Sequence, residues 1–485
     1  MTDNMPEDIE HKTILFGLGW SSLSTIVNGL TQVLRLSILS RFLEKSDFGI
    51  VAILTFIVGL TQVFSDMGFS AAIMSQKDLK RQEFLNLYWI QFILFIITFG
   101  IISCFSYHIA IFYDAPTLSV LIPVILLELP LLGIGKLYDT VLQKNLMFRT
   151  IAIRNIVAAT SSLLLAVILA CAGYGVYSMV ISIIFNALVI NIWNFAKGQS
   201  EYKIRFQKIN IKSTSSLIRV GLYQMGTQIL DYISSKLDIL IISICLGTSE
   251  LGIYNLAKEL ILKFVMVINS IVSKVMLPIL AKYQDELSQM KRLFLGFIGK
   301  LSLVNAPIIA FIVLFNDIIV RIFYGENYME AGPIIQIMAI WSMFVVIGMP
   351  NSFVAIATKR TDITFIYTII RILIMSVLLL AFARTSIIYA AWTMIGAYSI
   401  MFFVNWRILL KKILNLKLSD YVIAFYKSWA SFAAIVILMS WGTQHFSLFT
   451  KLLTFLLLTI CYFFLFERNT IKMVSATIIK RYKHI

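Results

Sequence analysis

Two runs of polar residues lie inside otherwise apolar stretches of this chain, and they repeat each other at one constant offset. The first is Ser21, Thr25, Asn28, Gln32 and Arg35; the second is Gln224, Gln228, Asp231, Ser235 and Asp238. Each member of the second lies 203 positions after its counterpart in the first. Both follow the spacing i, i+4, i+7, i+11, i+14, which lines one face of a helix. A polar face embedded in lipid is costly unless it lines water or packs on protein. A duplicated one is what a two-lobed transporter with a central hydrophilic cavity needs.

The repeat continues beyond the stripes. Leu43-Glu44-Lys45-Ser46-Asp47-Phe48-Gly49-Ile50 matches Leu246-Gly247-Thr248-Ser249-Glu250-Leu251-Gly252-Ile253 at the same offset. Ser46-Asp47 and Ser249-Glu250 suit the N-cap and first turn of a following helix. The glycine after them permits close packing at the hairpin.

The chain is 59% hydrophobic and only 14% charged, against about a quarter charged in soluble domains. Apolar runs recur throughout and predict an all-α integral membrane protein with about fourteen transmembrane helices. The spans that hold the stripes are 14–40 and 217–246; the next after the second is 251–279, and the last is 447–467. The polar interval 197–213 divides a six-helix lobe at 1–196 from a second at 214–412, and two extra helices with a basic tail follow at 413–485. An even number of spans before the second copy keeps both copies in one orientation, related by a pseudo-two-fold axis along the membrane normal.

The net charge of +16 does not indicate nucleic acid, because Lys and Arg concentrate in alternate connections. One set holds Lys80 and Arg81, Lys144 and Arg149, Lys203 to Lys212, Lys291 and Arg292, Lys359 and Arg360, Lys411 and Lys412, and the tail; the other is nearly bare. That asymmetry is the positive-inside pattern and predicts both termini on the cytoplasmic side. Cys104, Cys171, Cys245 and Cys461 have no metal or redox spacing, and the four histidines form no ligand pair. No metal and no cofactor is expected. There is no phosphate-binding loop, no nucleophile elbow and no sizeable external loop to carry catalytic groups, so the chain is not read as an enzyme.

Charges inside the spans are functional candidates by default. Arg35, Asp66, Asp231, Lys236, Asp238, Lys258 and Lys263 join the neutral stripe residues as the expected lining of the cavity. Glu128, Lys136, Asp139, Glu259 and Arg371 are further charges within spans, with Asp139 and Arg371 expected to snorkel to the interface. Cations on a wet face suit an anionic cargo such as a phosphate or uronate. Gln, Asn, Ser and Thr suit sugar hydroxyls, and Trp20, Tyr223, Tyr232 and Tyr254 are placed to stack on sugars or simply to pack. Structural ion pairs between helices are the competing reading. Arg35 and Asp238 occupy equivalent positions of the two stripes, which suggests a pair of opposite charges closing the outer side between lobes.

The motifs together resemble the polysaccharide-type flippases of the multidrug/oligosaccharidyl-lipid/polysaccharide exporter (MOP) superfamily. The resemblance rests on Leu18-Gly-Trp-Ser21, on Arg35 with Arg41-Phe-Leu and Asp47-Phe-Gly49, on Asp66-Met-Gly-Phe69, and on Leu142-Gln-Lys-Asn-Leu-Met-Phe148. It implies a V-shaped pair of lobes, in the bacterial cytoplasmic membrane, moving undecaprenyl-diphosphate-linked oligosaccharide units from inner to outer leaflet by alternating access. It implies spans one, two, seven and eight as the chief cavity lining, with membrane lipids, a polysaccharide polymerase and glycosyltransferases as partners of a monomer. Coupling to a Na+ or H+ gradient stays open. A multidrug exporter of the same superfamily is the alternative, weakened by the basic residues; a membrane polymerase or glycosyltransferase is disfavoured by the short outer connections.

The charge asymmetry makes a direct prediction. In a chain with its four cysteines replaced, a thiol at Asp47 should react with a membrane-impermeant reagent on intact cells, and one at Lys208 should not. Labelling at Lys208 from outside would overturn the topology.

Overall fold

The computed structural model describes residues 7–76, 79–205, 214–443 and 446–466. The first half holds α1 (Glu7–Leu39), α2 (Lys45–Asp66), α3 (Phe69–Ser75), α4 (Arg81–Cys104), α5 (Ser106–Phe112), α6 (Leu118–Leu126), α7 (Glu128–Lys144), α8 (Phe148–Cys171) and α9 (Val176–Gly198). The second holds α10 (Ser215–Lys282), α11 (Leu287–Leu314), α12 (Asn316–Phe323), α13 (Ala331–Ala357), α14 (Thr361–Phe382) and α15 (Ile387–Asn405). A π-helical turn at Trp406–Leu410 leads into α16 (Lys411–Leu414), and α17 (Leu418–Gly442) and α18 (Leu448–Phe466) complete the chain. No strand occurs among the described residues, as expected where lipid leaves backbone groups no outside partner.

Ten of the described helical spans are long and apolar enough to cross a membrane. The protein is an all-α membrane protein. The expected spans 14–40, 217–246, 251–279 and 447–467 also fall on helices, namely α1, the two arms of α10, and α18, outside that ten. α1 and α10 carry the polar stripes, which dilute the apolar signal that length and composition measure. Of the expected interval 197–213, residues 206–213 lie outside the described residues. Within the part that is described, the Tyr138 hydroxyl donates to the Tyr202 carbonyl at 2.6 Å, and the Tyr202 hydroxyl donates to the Leu79 carbonyl at 3.2 Å.

The helices form two groups, α1–α9 and α10–α18, which meet chiefly along α2 and α10. α10 is two arms bent at Gly247, whose φ of 80° and ψ of −176° are open to glycine and costly for any residue with a Cβ. The first copy of the motif makes its bend differently. α1 stops at Leu39 and α2 starts at Lys45, with Glu44 as its N-cap. The cap is therefore not Ser46; Asp47 instead reaches back and accepts from the Glu44 backbone N–H at 3.1 Å, closing one orphan donor of the first turn.

The two motif copies touch each other reciprocally. A Cβ built on Gly49 would sit 1.8 Å from the Thr248 carbonyl oxygen, and one built on Gly252 would sit 1.8 Å from the Lys45 carbonyl oxygen. Lys45 and Thr248 are repeat partners, as are Gly49 and Gly252. The contact is thus its own mirror in sequence, as a two-fold relation between segments requires. Around it, the Tyr328 hydroxyl donates to the Leu43 carbonyl at 2.7 Å, Ser40 Oγ to the Phe323 carbonyl at 3.3 Å and Arg41 Nη2 to the Ile322 carbonyl at 3.2 Å, and Lys45 pairs with Glu330. Midway along α2, the Tyr232 ring stacks on Phe56 at 5.9 Å and its hydroxyl donates to the Phe56 carbonyl at 3.1 Å. At the other end of α2, Gly68 and Gly221 abut in the same backbone-to-backbone manner.

Adding a methyl at either reciprocal glycine must part the hairpins. Gly49→Ala and Gly252→Ala should each destabilise the protein by about 1–3 kcal/mol, and lengthen the distance between spin labels at Ser46 and Ser249. Gly226→Ala, where an added Cβ meets nothing within 4 Å, should do neither. Unchanged label distances in both hairpin variants would contradict the close contact.

Candidate functional site

A proline places the site's acid. Pro130 has no N–H and its ring conflicts with the carbonyl four residues back, which belongs to Leu126. α6 ends at Leu126 and α7 begins at Glu128. The break brings Glu128 into a cavity of about 400 Å³ between the two groups of helices. The cavity takes Gln32 and Arg35 from α1, Gln62 from α2, Lys236 from the first arm of α10, and Asn255, Glu259 and Lys263 from the second. Met179 and Ile183 of α9 supply part of its apolar wall. α1, α2 and both arms of α10 contribute to its lining, together with α6, α7 and α9.

Three cations face two carboxylates here, and the pairing is uneven. Lys263 Nζ lies 3.0 Å from Glu259 Oε2, a contact favoured at i, i+4 on a helix. Lys236 Nζ lies 3.9 Å from the other oxygen of the same carboxylate. Glu128 accepts from Gln62 Nε2 at 3.0 Å. Arg35 Nη2 donates to Ser162 Oγ at 2.7 Å, while its buried Nε has no acceptor among the described residues. Arg35 makes no ion pair among them either. A half-buried guanidinium held by one neutral hydroxyl is charge held ready for an anion.

The structure redistributes the other expected site residues. Lys258 and Asp238 do not line the cavity: they are 4% and 1% exposed, and Lys258 Nζ lies 2.5 Å from Asp238 Oδ2. The Tyr254 hydroxyl donates to the same oxygen at 2.7 Å. The bend at Gly247 is the cause, since it folds the second arm of α10 back against the first and brings residues twenty apart side by side. The same pair uses up Asp238, and Arg35 turns to Ser162 of α8, so the two equivalent stripe charges bond within their own groups of helices and not to each other. Tyr254 and Tyr232 pack between helices, whereas Tyr223 is exposed and Trp20 sits under Arg149 at 5.6 Å.

Asp66 lies one turn beyond Gln62 on α2, accepting from Ser70 Oγ at 2.7 Å and Gln91 Nε2 at 2.9 Å. It shares a smaller cavity of about 110 Å³ with Gln62, Lys136 and Gln228. Ser21, Thr25 and Asn28 stay half-buried; Thr25 Oγ1 donates to the Ser21 carbonyl and Asn28 Nδ2 to Ser24 Oγ. Gln224 and Ser235 are exposed, and Ser235 Oγ donates to the Tyr232 carbonyl. Asp231 faces a separate cavity among α13, α14 and α15. Asp139 does not snorkel, since it pairs with buried Arg154 at 2.5 Å. Glu128, Gln62, Asn255 and Glu259 are the carboxylate and amide side chains that line the central cavity beyond the expected set. For Glu128 the sequence signal was an acid two residues before a proline within an apolar span.

With this geometry in hand, the comparisons are direct. The family described as "Polysaccharide biosynthesis protein" matches residues 38–333. The chain belongs to that family. It is 28% identical over 444 residues to the teichuronic acid biosynthesis protein TuaB of Bacillus subtilis, spanning 90% of this chain and 91% of that protein. It is 23% identical over 363 residues to the lipopolysaccharide biosynthesis protein WzxC of Escherichia coli, spanning 75% and 73%. The fold is similar to a solved structure of the lipid II flippase MurJ in an inward closed conformation, with TM-score 0.77 at 15% identity over 93% of this chain and 99% of that one. An inward-facing multidrug MATE transporter of the MOP superfamily follows at TM-score 0.59 and 15% identity, over 86% and 95%. The family and its MOP-type fold make this a multi-pass membrane transporter of polysaccharide biosynthesis.

The Asp238–Lys258 pair is structural on this account, and its removal should behave accordingly. Lys258→Met alone strands a buried carboxylate and should cost about 3–5 kcal/mol. Lys258→Met with Asp238→Leu should recover most of that in thermal unfolding of the purified protein. A double variant less stable than the single one would show that the pair stabilises beyond mutual compensation.

Proposed function

We propose that this protein is a flippase for lipid-linked oligosaccharides, carrying undecaprenyl-diphosphate-linked repeat units from the inner to the outer leaflet of the bacterial cytoplasmic membrane for polysaccharide assembly. The observation that carries this reading is Arg35, a cation with no ion pair among the described residues, in a cavity that also holds Lys236 and Lys263. A diphosphate supplies the missing negative charge, and its oxygens accept guanidinium hydrogen bonds two at a time. Gln32, Gln62 and Asn255 supply neutral donors and acceptors for the first sugar. The basic lining also argues against a cationic drug as cargo.

In this reading the lobes 1–196 and 214–412 rock about the cavity. The Gly49–Gly252 contact closes the outer side and the Gly68–Gly221 contact the inner side, each opening in turn. The basic connections put the second contact on the cytoplasmic side. The names of the relatives support the cargo class: teichuronic acid and lipopolysaccharide biosynthesis for TuaB and WzxC, lipid II for the MurJ fold.

Arg35→Gln should weaken diphosphate binding by about 2–5 kcal/mol, more than tenfold in affinity. In cells dependent on this protein, that variant should accumulate lipid-linked glycan inside and lose surface polysaccharide, with the protein present at normal level. Lys263→Gln should act in the same direction and more weakly, because Glu259 already shares its charge. Normal surface polysaccharide from a double Arg35→Gln, Lys236→Gln variant at normal protein level would overturn the cavity's role.

A further inference from the structure

Arg371 was expected to snorkel to the membrane interface, and it does not. It turns inward from α14 into a cavity of about 330 Å³ enclosed by the first arm of α10 and by α13, α14 and α15. Its Nε donates to Ser234 Oγ at 2.5 Å, and its guanidinium carbon lies 5.9 Å from the centre of the Tyr367 ring. These contacts fix the plane of the guanidinium. Arg371 forms no ion pair among the described residues. Asp231 lines the same cavity and accepts from Thr368 Oγ1 at 2.9 Å. Asp231 is exposed, so the cavity is reached past it.

An arginine and an aspartate thus share one cavity without pairing. The requirement on a ligand is specific. Arg371 asks for a planar anion that accepts two parallel N–H bonds. An ionised Asp231 only accepts, so the ligand must bring donors to it. Asn351 and Asn405 add neutral groups, and Tyr367 and Tyr398 add aromatic faces. One wall turns through the π-helical segment Trp406–Leu410, of which Leu409 lines the cavity; such turns recur at functional sites.

We infer that this cavity is a subsite for an acidic sugar, with the carboxylate of a uronate on Arg371, its ring hydroxyls donating to Asp231 and its faces against the tyrosines. A free phosphate fits less well, because its second charge would meet Asp231 and it carries no ring of hydroxyls. The inference rests on the flippase reading and deepens it: the central cavity holds the diphosphate, and this one reads the charge of a sugar in the glycan.

The test uses the full chain in lipid nanodiscs, with binding of a glucuronic acid disaccharide measured against its methyl ester, the neutral glucose disaccharide, alanine and inorganic pyrophosphate. The acid should bind at least tenfold more tightly than its ester or the neutral sugar. Arg371→Gln should remove that preference, Arg371→Lys should restore part of it, and Arg35→Gln should leave it intact while weakening pyrophosphate. Equal binding of acid and ester to the unmodified protein overturns the inference, whatever the variants do to folding. So does alanine or pyrophosphate competing for Arg371 as well as the acid does. If pyrophosphate fails to bind while the acid preference holds, the central cavity reading falls and this one stands.

Discussion

Two peptide backbones pressed together at Gly49 and Gly252 hold the halves of this molecule in register. No side chain intervenes, and each glycine lies against the carbonyl of the residue four before its repeat partner. A contact of that kind tolerates almost no displacement, because the interior of a protein is close-packed and yields poorly to added volume. It fixes the start of α2 against the second arm of α10. With Tyr232 over Gly59 and Gly221 against Gly68, it lays α2 along the first arm as well. The position of the central cavity follows. Arg35 and Gln32 on α1, Gln62 on α2 and the facing charges of α10 converge because this contact sets where the hairpins turn.

Within that frame the buried charges divide into two kinds. Asp238 with Lys258 and Asp139 with Arg154 are close pairs wholly within one group of helices. Each offsets the cost of its own burial and adds little to affinity for a ligand. Arg35 and Arg371 are different. Both are held in place by a serine hydroxyl, both lack an ion pair among the described residues, and both look into a cavity. In a membrane protein, a cation so placed is retained at a cost, and binding an anion relieves it. One arginine lies between the halves of the molecule and the other inside the second half, so the roles proposed for them, one on the carrier phosphate and one on the glycan, fall in separate places.

Much of this architecture was legible in the sequence. Apolar runs marked the helices, since lipid permits little else, and the constant offset of 203 between stripes and hairpin motifs marked the repeat before any contact was seen. Stripe spacing pointed to Gln32 and Arg35, and charge within an apolar span to Lys236 and Lys263; these four line one cavity. Side-chain partners were not legible, because they depend on the bend. A glycine at 247 with positive φ folds α10 sharply enough to bury Lys258 on Asp238, whereas Glu44 in the equivalent position caps a separate helix. Helical periodicity treats both copies alike and cannot register that difference. Arg371 does not snorkel for a similar reason: Ser234 on another helix holds its guanidinium. Arg35 and Asp238 do not pair because Lys258 takes up Asp238 and Ser162 holds Arg35 within its own group of helices.

The central claim is that the protein moves a lipid-linked glycan between leaflets, and a reconstituted vesicle tests it most directly. Purified protein is placed in vesicles with an undecaprenyl-diphosphate-linked glycan initially confined to the inner leaflet, and its glycan is then probed with a sugar-cleaving enzyme added outside. The account predicts that the glycan becomes cleavable in a protein-dependent manner, that Arg35→Gln slows this by tenfold or more, and that the Gly226→Ala control does not. Cleavage at the same rate in protein-free vesicles and in vesicles carrying the native protein or the Arg35→Gln variant would contradict it.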